Sequence, residues 1–212
     1  MKEENFPRKK TWLWRIGWPI IWVYCKVFFR LEIVRQTPSL PQGAMVLCGN
    51  HLHALDPLPF SMITRRQIYY MSKKEVFQKR FLGWVVTQLG AYPVDREGND
   101  VKSMRHTLSL LKMGGVLGIF PEGTRSKDGQ VHAFHPGAAM FALRTGAALV
   151  PVGFYGTFRP FSKLVMIVGA PMDLSAYAGQ KPDNATIEEV TQQLRRRVIE
   201  LMEQAKQCVQ KS

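Results

Sequence analysis

The chain has 212 residues and a formal net charge of +13, with 29 Lys and Arg against 16 Asp and Glu. Its hydrophobic content of 46% is that of a packed globular domain, which excludes disordered, collagen-like and disulfide-framework proteins. The three cysteines are widely spaced, which predicts a reducing compartment and no structural zinc. The excess of positive charge predicts an anionic partner: a phosphorylated substrate, a membrane surface or a nucleic acid.

The N-terminal segment, residues 8–35, combines a dense cluster of tryptophans with interspersed Lys and Arg. Its longest charge-free stretch, Ile16 to Cys25, is shorter than the roughly 20 apolar residues that a membrane span needs. Cations beside an aromatic face are typical of an interfacial helix on anionic lipid. We therefore predict that residues 1–36 form a monotopic membrane anchor. A tilted single span and a helix packed on the protein's own core are the alternatives.

This anchor is predicted to be helical, with one face formed mainly by aromatic rings. Residues on that face recur at helical spacing: Trp14, Trp18, Trp22, Cys25 and Phe29. Pro19 lies within the same stretch and predicts a kink or a split into two short helices.

Beyond residue 37, short apolar runs alternate with longer amphipathic runs. The predicted strands are Met45–Cys48, Ile68–Met71, Ala91–Val94, Val116–Phe120, Leu149–Gly153 and Leu164–Val168. The predicted helices are Pro57–Thr64, Phe81–Leu89, Val101–Met113, Pro136–Thr145 and Ile187–Gln207. Strands that alternate with helices predict one α/β domain over residues 37–212, with a mostly parallel sheet flanked by helices.

Two helix starts have candidate capping residues. Asn99 or Asp100 is predicted to cap the helix that begins at Val101. Thr186 with Glu189 is predicted to form a capping box for the last helix.

The first candidate catalytic group follows the strand Met45–Cys48. His51 comes directly after this strand, and Asp56 follows five positions later at a predicted helix start. A carboxylate that fixes one ring nitrogen as N–H and stabilises the imidazolium makes a histidine an effective general base. Asp56 before Pro57 also fits a helix N-cap, and the spacing of His51 and His53 is compatible with a metal site.

A second candidate site is the turn Phe120–Ser126, which reads Phe-Pro-Glu-Gly-Thr-Arg-Ser and ends another predicted strand. It presents backbone N–H groups, a hydroxyl and the Arg125 guanidinium. These groups suit a phosphate or phosphomonoester, because Arg binds phosphate oxygens through two hydrogen bonds. A solvated turn is the alternative interpretation.

Basic residues follow two further strands. Arg96 lies in the loop after Ala91–Val94, and Lys73 and Lys74 follow Ile68–Met71. Sites in parallel sheets form at the carboxyl ends of strands, so these cations are predicted to join the same edge. The apolar run Val150–Gly156 would line an acyl chain or belong to the core.

Four blocks taken in order resemble the glycerophospholipid acyltransferase family, most closely its bacterial 1-acyl-sn-glycerol-3-phosphate acyltransferases. They run from Asn50 to Asp56, from Gly90 to Arg96, from Phe120 to Ser126 and from Val150 to Gly156. The resemblance covers about residues 35–170.

The resemblance implies a role for each matched residue. His51, oriented by Asp56, would deprotonate a glycerol hydroxyl, and the oxygen would attack an acyl thioester directly without an acyl-enzyme. The residues that would hold the acceptor and its phosphate are Arg96, Glu122, Gly123, Thr124, Arg125 and Lys73. The family often has a basic residue at the position of His135, and the role of this histidine stays open.

The implied activity is the conversion of lysophosphatidic acid to phosphatidic acid, with acyl-CoA or acyl-carrier protein as co-substrate and with no cofactor or metal. The implied location is the cytoplasmic face of the cell membrane, as a peripheral or monotopic enzyme on an anionic surface. Alternatives are acylation of glycerol 3-phosphate or another lysolipid, a non-catalytic basic binding module, and a metal hydrolase. Since no nucleic-acid-binding motif occurs, no nucleic-acid partner is predicted.

Overall fold

The computed structural model describes residues 12–95 and 100–211, and within them seven strands form one sheet. The strands are β1 (Glu32–Arg35), β2 (Met45–Gly49), β3 (Ile68–Lys73), β4 (Ala91–Val94), β5 (Val116–Ile119), β6 (Ala148–Gly156) and β7 (Leu164–Val168). They lie in the order β1-β7-β6-β2-β5-β3-β4, and only β6 and β7 pair antiparallel. The predicted α/β fold with a mostly parallel sheet is confirmed.

Helices cover both faces of the sheet. They are α1 (Trp12–Phe28), α2 (Pro57–Phe60), α3 (Lys74–Gln78), α4 (Arg80–Gln88), α5 (Val101–Lys112), α6 (Gly137–Thr145) and α7 (Asn184–Gln210). Successive β2 side chains enter different cores, because neighbouring residues of a strand point to opposite faces. Met45 and Leu47 pack with α1 and α2, whereas Val46 and Cys48 pack with α6 and α7.

The direction of the crossovers assigns the remaining helices to these faces. From β2 to β3 and from β3 to β4 the chain moves one way along the sheet, and from β4 through β5 to β6 it moves back. Since parallel crossovers are right-handed, α2 and α4 lie on one face, and α5 and α6 lie on the other. The reversal leaves the carboxyl ends of β2 and β5 side by side.

The capping predictions have different outcomes. Asp100 caps α5, as its side chain accepts a 3.0 Å hydrogen bond from the Ser103 N–H; Asn99 lies outside the described residues. The predicted capping box of Thr186 and Glu189 is wrong. Asp183 caps α7 by accepting from the Thr186 N–H at 2.8 Å, so the helix begins one turn earlier.

The sequence does not predict β1 or α3, and it makes α2 too long. β1 pairs in parallel with β7 along its four residues, so the sheet already includes residues 32–35, which lie before the predicted boundary at residue 36. A four-residue edge strand carries too little alternation to stand out beside the apolar residues of α1. The helix predicted from Pro57 to Thr64 ends at Phe60.

Helix α1 is continuous through the exposed Pro19, which makes the predicted split wrong. Most of its predicted aromatic face points inward: Trp14, Cys25 and Phe29 are buried, whereas Trp22 is 43% exposed. The Trp18 indole N–H donates to the Ser61 carbonyl at 3.2 Å. The protein itself therefore covers most of this face. A periodic pattern shows which residues share a face, but it does not show whether protein or lipid covers that face.

The opposite face of α1 is exposed and apolar. Four aliphatic residues recur there at helical spacing: Ile16, Ile20, Val23 and Val27. Within residues 12–95 and 100–211, no helix combines the length and the apolarity that a bilayer crossing requires.

Candidate active site

His51 and Asp56 form a hydrogen-bonded pair at the carboxyl end of β2. The distance from His51 Nδ1 to Asp56 Oδ2 is 2.7 Å. The same oxygen accepts the backbone N–H groups of Leu52 and His53 at 2.7 and 2.8 Å. Because that oxygen already acts as an acceptor, we assign the proton of the histidine to Nδ1 and the lone pair to Nε2. The neutral ring can then take a proton through Nε2.

The cap interpretation of Asp56 is wrong, since its carboxylate makes no capping hydrogen bond to α2. Its side chain is 1% exposed and that of His51 is 20% exposed. Burial of a carboxylate is costly unless hydrogen bonds replace its water. The loop supplies three hydrogen bonds to Oδ2, whereas the buried Oδ1 has no partner among the described residues. The Phe120 ring stacks on the imidazole with centroids 4.5 Å apart, which limits how the ring can turn.

The turn Phe120–Ser126 holds the backbone of His51 on both sides. Glu122 Oε1 accepts the His51 N–H at 2.9 Å, and the Ser126 N–H donates to the His51 carbonyl at 2.8 Å. The second oxygen of Glu122 accepts the His132 N–H at 3.2 Å. The two sequence motifs that were predicted separately are thus one hydrogen-bonded unit.

This geometry changes the role expected of Glu122. The residue is buried, and both of its oxygens accept backbone N–H groups. A carboxylate in contact with a phosphate would also repel it, because the two groups carry charge of the same sign. The contacts therefore favour a positioning role for Glu122 in place of the predicted contact with the acceptor's phosphate.

We refer to residues 50–56 as the catalytic loop. Asn50 anchors this loop to the sheet, a role that the sequence does not predict. Its side-chain amide donates to the Phe154 carbonyl at 2.9 Å and accepts the Phe154 N–H at 2.8 Å. This pair resembles a peptide group and continues the ladder from β2 to β6 beyond Gly49. The chain can therefore leave the sheet before His51 while the Phe154 backbone remains hydrogen-bonded. The sequence signal that could have identified this role is the position of Asn50, directly between β2 and His51.

The candidate phosphate-binding residues follow a tight turn beside the histidine. Gly123 has a φ of +68°, and a Cβ at this position would lie 3.1 Å from the His135 ring. A side chain there would be strained as well as crowded. Thr124 and Arg125 are exposed. Arg125 directly precedes Ser126, which bonds to the His51 carbonyl, so its guanidinium is carried on a segment anchored to the catalytic loop.

The structure also brings the ends of β3 and β4 to this edge. β3 neighbours β5 in the sheet and ends at the exposed Lys73. Lys74 forms a 2.8 Å ion pair with Asp95, which joins the start of α3 to the residue after β4. The other cation predicted here, Arg96, lies outside the described residues.

Cys48 is fully buried within β2, three residues before the histidine. Burial raises the pKa of its thiol well above the ordinary value, and the negative charge of Glu122 raises it further. The sulfur therefore stays protonated and shielded, which makes it unsuited to act as a nucleophile.

Comparison with known proteins identifies the family. The acyltransferase family model matches residues 30–155, which include His51, Asp56 and the turn Phe120–Ser126. The chain belongs to this acyltransferase family. The resemblance inferred from the four sequence blocks is confirmed.

Relatives of this acyltransferase include bacterial and plastid proteins. It is 33% identical over 171 residues to the 1-acyl-sn-glycerol-3-phosphate acyltransferase of Bacillus subtilis (strain 168), covering 77% of this chain and 84% of that protein. It is 32% identical over 142 residues to the chloroplastic 1-acyl-sn-glycerol-3-phosphate acyltransferase LPAT1 of Arabidopsis thaliana, covering 66% of this chain and 39% of the plant protein.

A solved structure shares the fold of this acyltransferase. The crystal structure of the 1-acyl-sn-glycerophosphate (LPA) acyltransferase PlsC from Thermotoga maritima matches with a TM-score of 0.70 at 21% identity. The match covers 95% of this chain and 84% of that chain.

Proposed function

We propose that this acyltransferase moves a fatty acyl group from a thioester to the free hydroxyl of 1-acyl-sn-glycerol 3-phosphate, which gives phosphatidic acid. The observation that carries the proposal is the joining of the His51–Asp56 pair to the turn that bears Arg125. One rigid unit thus presents a general base and a phosphate-binding cation. The names of the bacterial and plastid relatives support this choice of acceptor.

The proposed reaction needs only the groups of this unit. His51 Nε2 takes the proton of the acceptor hydroxyl while the oxygen attacks the thioester carbonyl. The carbon–sulfur bond then breaks, and the imidazolium returns the proton to the departing thiolate. Asp56 stabilises the positive ring between these steps, because its charged oxygen lies 2.7 Å from Nδ1.

The acceptor's phosphate is proposed to bind beside this pair. Arg125 would bind two phosphate oxygens, and Gly123 and Thr124 would contribute a backbone N–H and a hydroxyl. Arg96 and Lys73 would add positive charge from the neighbouring strand ends. Acyl-CoA or acyl-carrier protein would supply the thioester, and no cofactor or metal takes part in these steps.

A membrane location follows from the chemistry of both lipids and from the surface of α1. The acceptor and the product carry long acyl chains, so an enzyme on the bilayer can take and return them laterally. The exposed aliphatic face of α1 would rest in the lipid, with the exposed Arg15 and Arg30 beside it for anionic headgroups. We place the enzyme as a peripheral or monotopic protein on the cytoplasmic face of the cell membrane.

An aromatic chain connects α1 to the catalytic loop. Phe29 follows α1 and packs edge-to-face on Phe158 with ring centroids 5.1 Å apart. Phe158 in turn stacks on His53 at 4.6 Å, two residues from the proposed base. These ring contacts connect the end of α1 to the segment that carries His51.

The test is thioester consumption with lysophosphatidic acid as acceptor, in detergent, for the wild type and His51→Ala. Loss of a general base is expected to lower kcat by about 10²–10⁴ with the fold retained. His106→Ala is the matched control, because His106 lies on α5, where its ring packs at a tilt against Tyr92. Equal activity of wild type and His51→Ala would refute the proposal. A strong preference for glycerol 3-phosphate over lysophosphatidic acid would show that the proposed acceptor is wrong.

A further inference from the structure

The first turn of α4 carries three large apolar side chains into solvent, far from α1 in the sequence. Phe81, Leu82 and Trp84 are 78%, 43% and 46% exposed, and we refer to them as the α4 tip. The rings of Phe81 and Trp84 lie with their centroids 6.5 Å apart. Grouped exposed apolar side chains of this kind mark a surface that contacts another phase or molecule.

The backbone prevents these side chains from folding inward. Lys79 adopts an extended conformation with ψ 100° between α3 and α4 and produces a sharp bend. Gly83 is buried there, and a Cβ on it would lie 2.8 Å from the Phe77 carbonyl oxygen. The backbone of α3 therefore packs directly on α4 through Gly83, which leaves the α4 tip on the outer side.

The charge around the α4 tip complements an anionic surface. Residues 73–84 contain four Lys or Arg and one Glu, a net charge of 4 − 1 = +3. Lys79 and Arg80 are exposed and directly precede the three apolar residues. Exposed aromatic rings flanked by cations are the chemistry of an element that lies at the headgroup level of an anionic bilayer.

The α4 tip also belongs to the side of the molecule that carries α1. Both helices cover the same face of the sheet, and Leu89 Cδ2, just beyond α4, lies 3.9 Å from the Cβ position of Gly17 in α1. The segment starts where β3 ends at Lys73, on the edge that holds the catalytic loop. An attachment through α4 would therefore lie between the α1 surface and the catalytic edge.

We propose that the α4 tip is a second bilayer contact, which inserts into the headgroup region of an anionic membrane. Two contacts on different elements, α1 and α4, fix the tilt of the protein where one helix would leave it free to rock. The carboxyl edge of the sheet is then held towards the lipid. This inference rests on the proposed function, in which the acceptor comes from a membrane.

The test compares binding of the full chain to vesicles of phosphatidylglycerol and phosphatidylcholine. The triple variant Phe81→Ser, Leu82→Ser, Trp84→Ser is expected to bind about tenfold more weakly, because it removes the apolar area of the α4 tip and leaves only the contact through α1. Val101→Ser with Met104→Ser is the matched control, since these exposed apolar residues lie on α5 over the other face of the sheet. Its binding is expected to match the wild type.

Two further measurements separate this inference from the proposed function. Acyl lipids brominated near the headgroup should quench wild-type tryptophan fluorescence more than that of Trp84→Phe, and equal quenching would overturn the bilayer contact. Activity in detergent should be the same for the triple variant and the wild type. A triple variant that binds vesicles normally but loses detergent activity would instead make the α4 tip part of the protein's own site. A wild type that binds through the α4 tip but does not acylate lysophosphatidic acid would refute only the proposed function.

Discussion

The catalytic loop, residues 50–56, buries polar side chains, whereas the outer face of α1 exposes apolar ones. Each is the reverse of the usual distribution. In the loop, the carboxylate of Asp56 and the amide of Asn50 are almost fully buried. On α1, Ile20 and Val23 are exposed. Both arrangements are uncommon in folded domains.

The two arrangements are stabilised by different interactions. Asp56 Oδ2 and the Asn50 amide bond to backbone N–H and C=O groups of the same chain at 2.7–2.9 Å, whereas Asp56 Oδ1 has no hydrogen-bond partner among the described residues. Aliphatic side chains have no such local solution, because only an apolar surface can remove them from water. Buried polar side chains therefore mark the candidate active site, whereas exposed apolar side chains mark a surface that a partner could cover.

The largest expected effect tests the loop. Asp56→Asn should lower kcat by about 10²–10⁴, because a neutral amide cannot stabilise the imidazolium of His51. The amide oxygen can still accept the Leu52 and His53 N–H groups, so thermal unfolding should remain cooperative. Steady-state kinetics and a melting curve check both points. Near-normal turnover would mean that Asp56 serves only to shape the loop.

The next prediction tests the orientation of α1. Trp14→Ala should destabilise the protein by about 3–5 kcal/mol, because removal of the buried indole ring leaves a cavity. Ile20→Ser, on the exposed face, should change stability by about 0.5 kcal/mol or less but weaken binding to anionic vesicles. Urea unfolding and vesicle co-sedimentation measure the two effects. If Ile20→Ser were the destabilising variant and Trp14→Ala the one released from vesicles, the two faces would be exchanged.

A smaller effect separates positioning from phosphate binding within the turn Phe120–Ser126. Glu122→Gln should lower kcat about tenfold with little change in KM for lysophosphatidic acid, because one anchor of the His51 backbone is weakened. Arg125→Lys is the matched variant and should raise KM for that acceptor more than for the thioester, since an ammonium cannot bind two phosphate oxygens in parallel. If Glu122→Gln changed only the acceptor KM, Glu122 would contact the substrate as first expected from the sequence.

The smallest expected effect concerns Cys48. Its raised pKa and full burial predict that iodoacetamide at mildly alkaline pH leaves this thiol unmodified and the activity intact. The partly exposed Cys208 should react, and unfolding in urea should make all three thiols reactive. Mass spectrometry of the labelled chain provides the count. Inactivation that runs parallel to Cys48 labelling in the folded protein would reopen an acyl-enzyme route.

The strands of the sheet were largely predictable because each is a compact apolar run between polar turns. β4 and β7 have the predicted bounds, and β2 extends one residue further to Gly49. β1 escaped prediction because four residues at a sheet edge become a strand only when β7 lies beside them. The start of α7 was misplaced by one turn because Asp183 and Thr186 are both good caps, and only the folded backbone selects between them.

The sequence by itself determined the family and the α/β class and supplied the candidate site residues, since the types and order of these residues are local properties of the chain. It did not determine that Glu122 would hold the His51 backbone, because that bond spans 71 positions and forms only when β2 and β5 become neighbours. It also did not determine which face of α1 packs on the protein and which stays exposed. Both faces of that helix are apolar, and the inward one was selected by the sheet surface against which Cys25 and Phe29 pack. Contacts between distant segments, and the choice between two apolar faces, depend on tertiary packing and are therefore decided only by the folded structure.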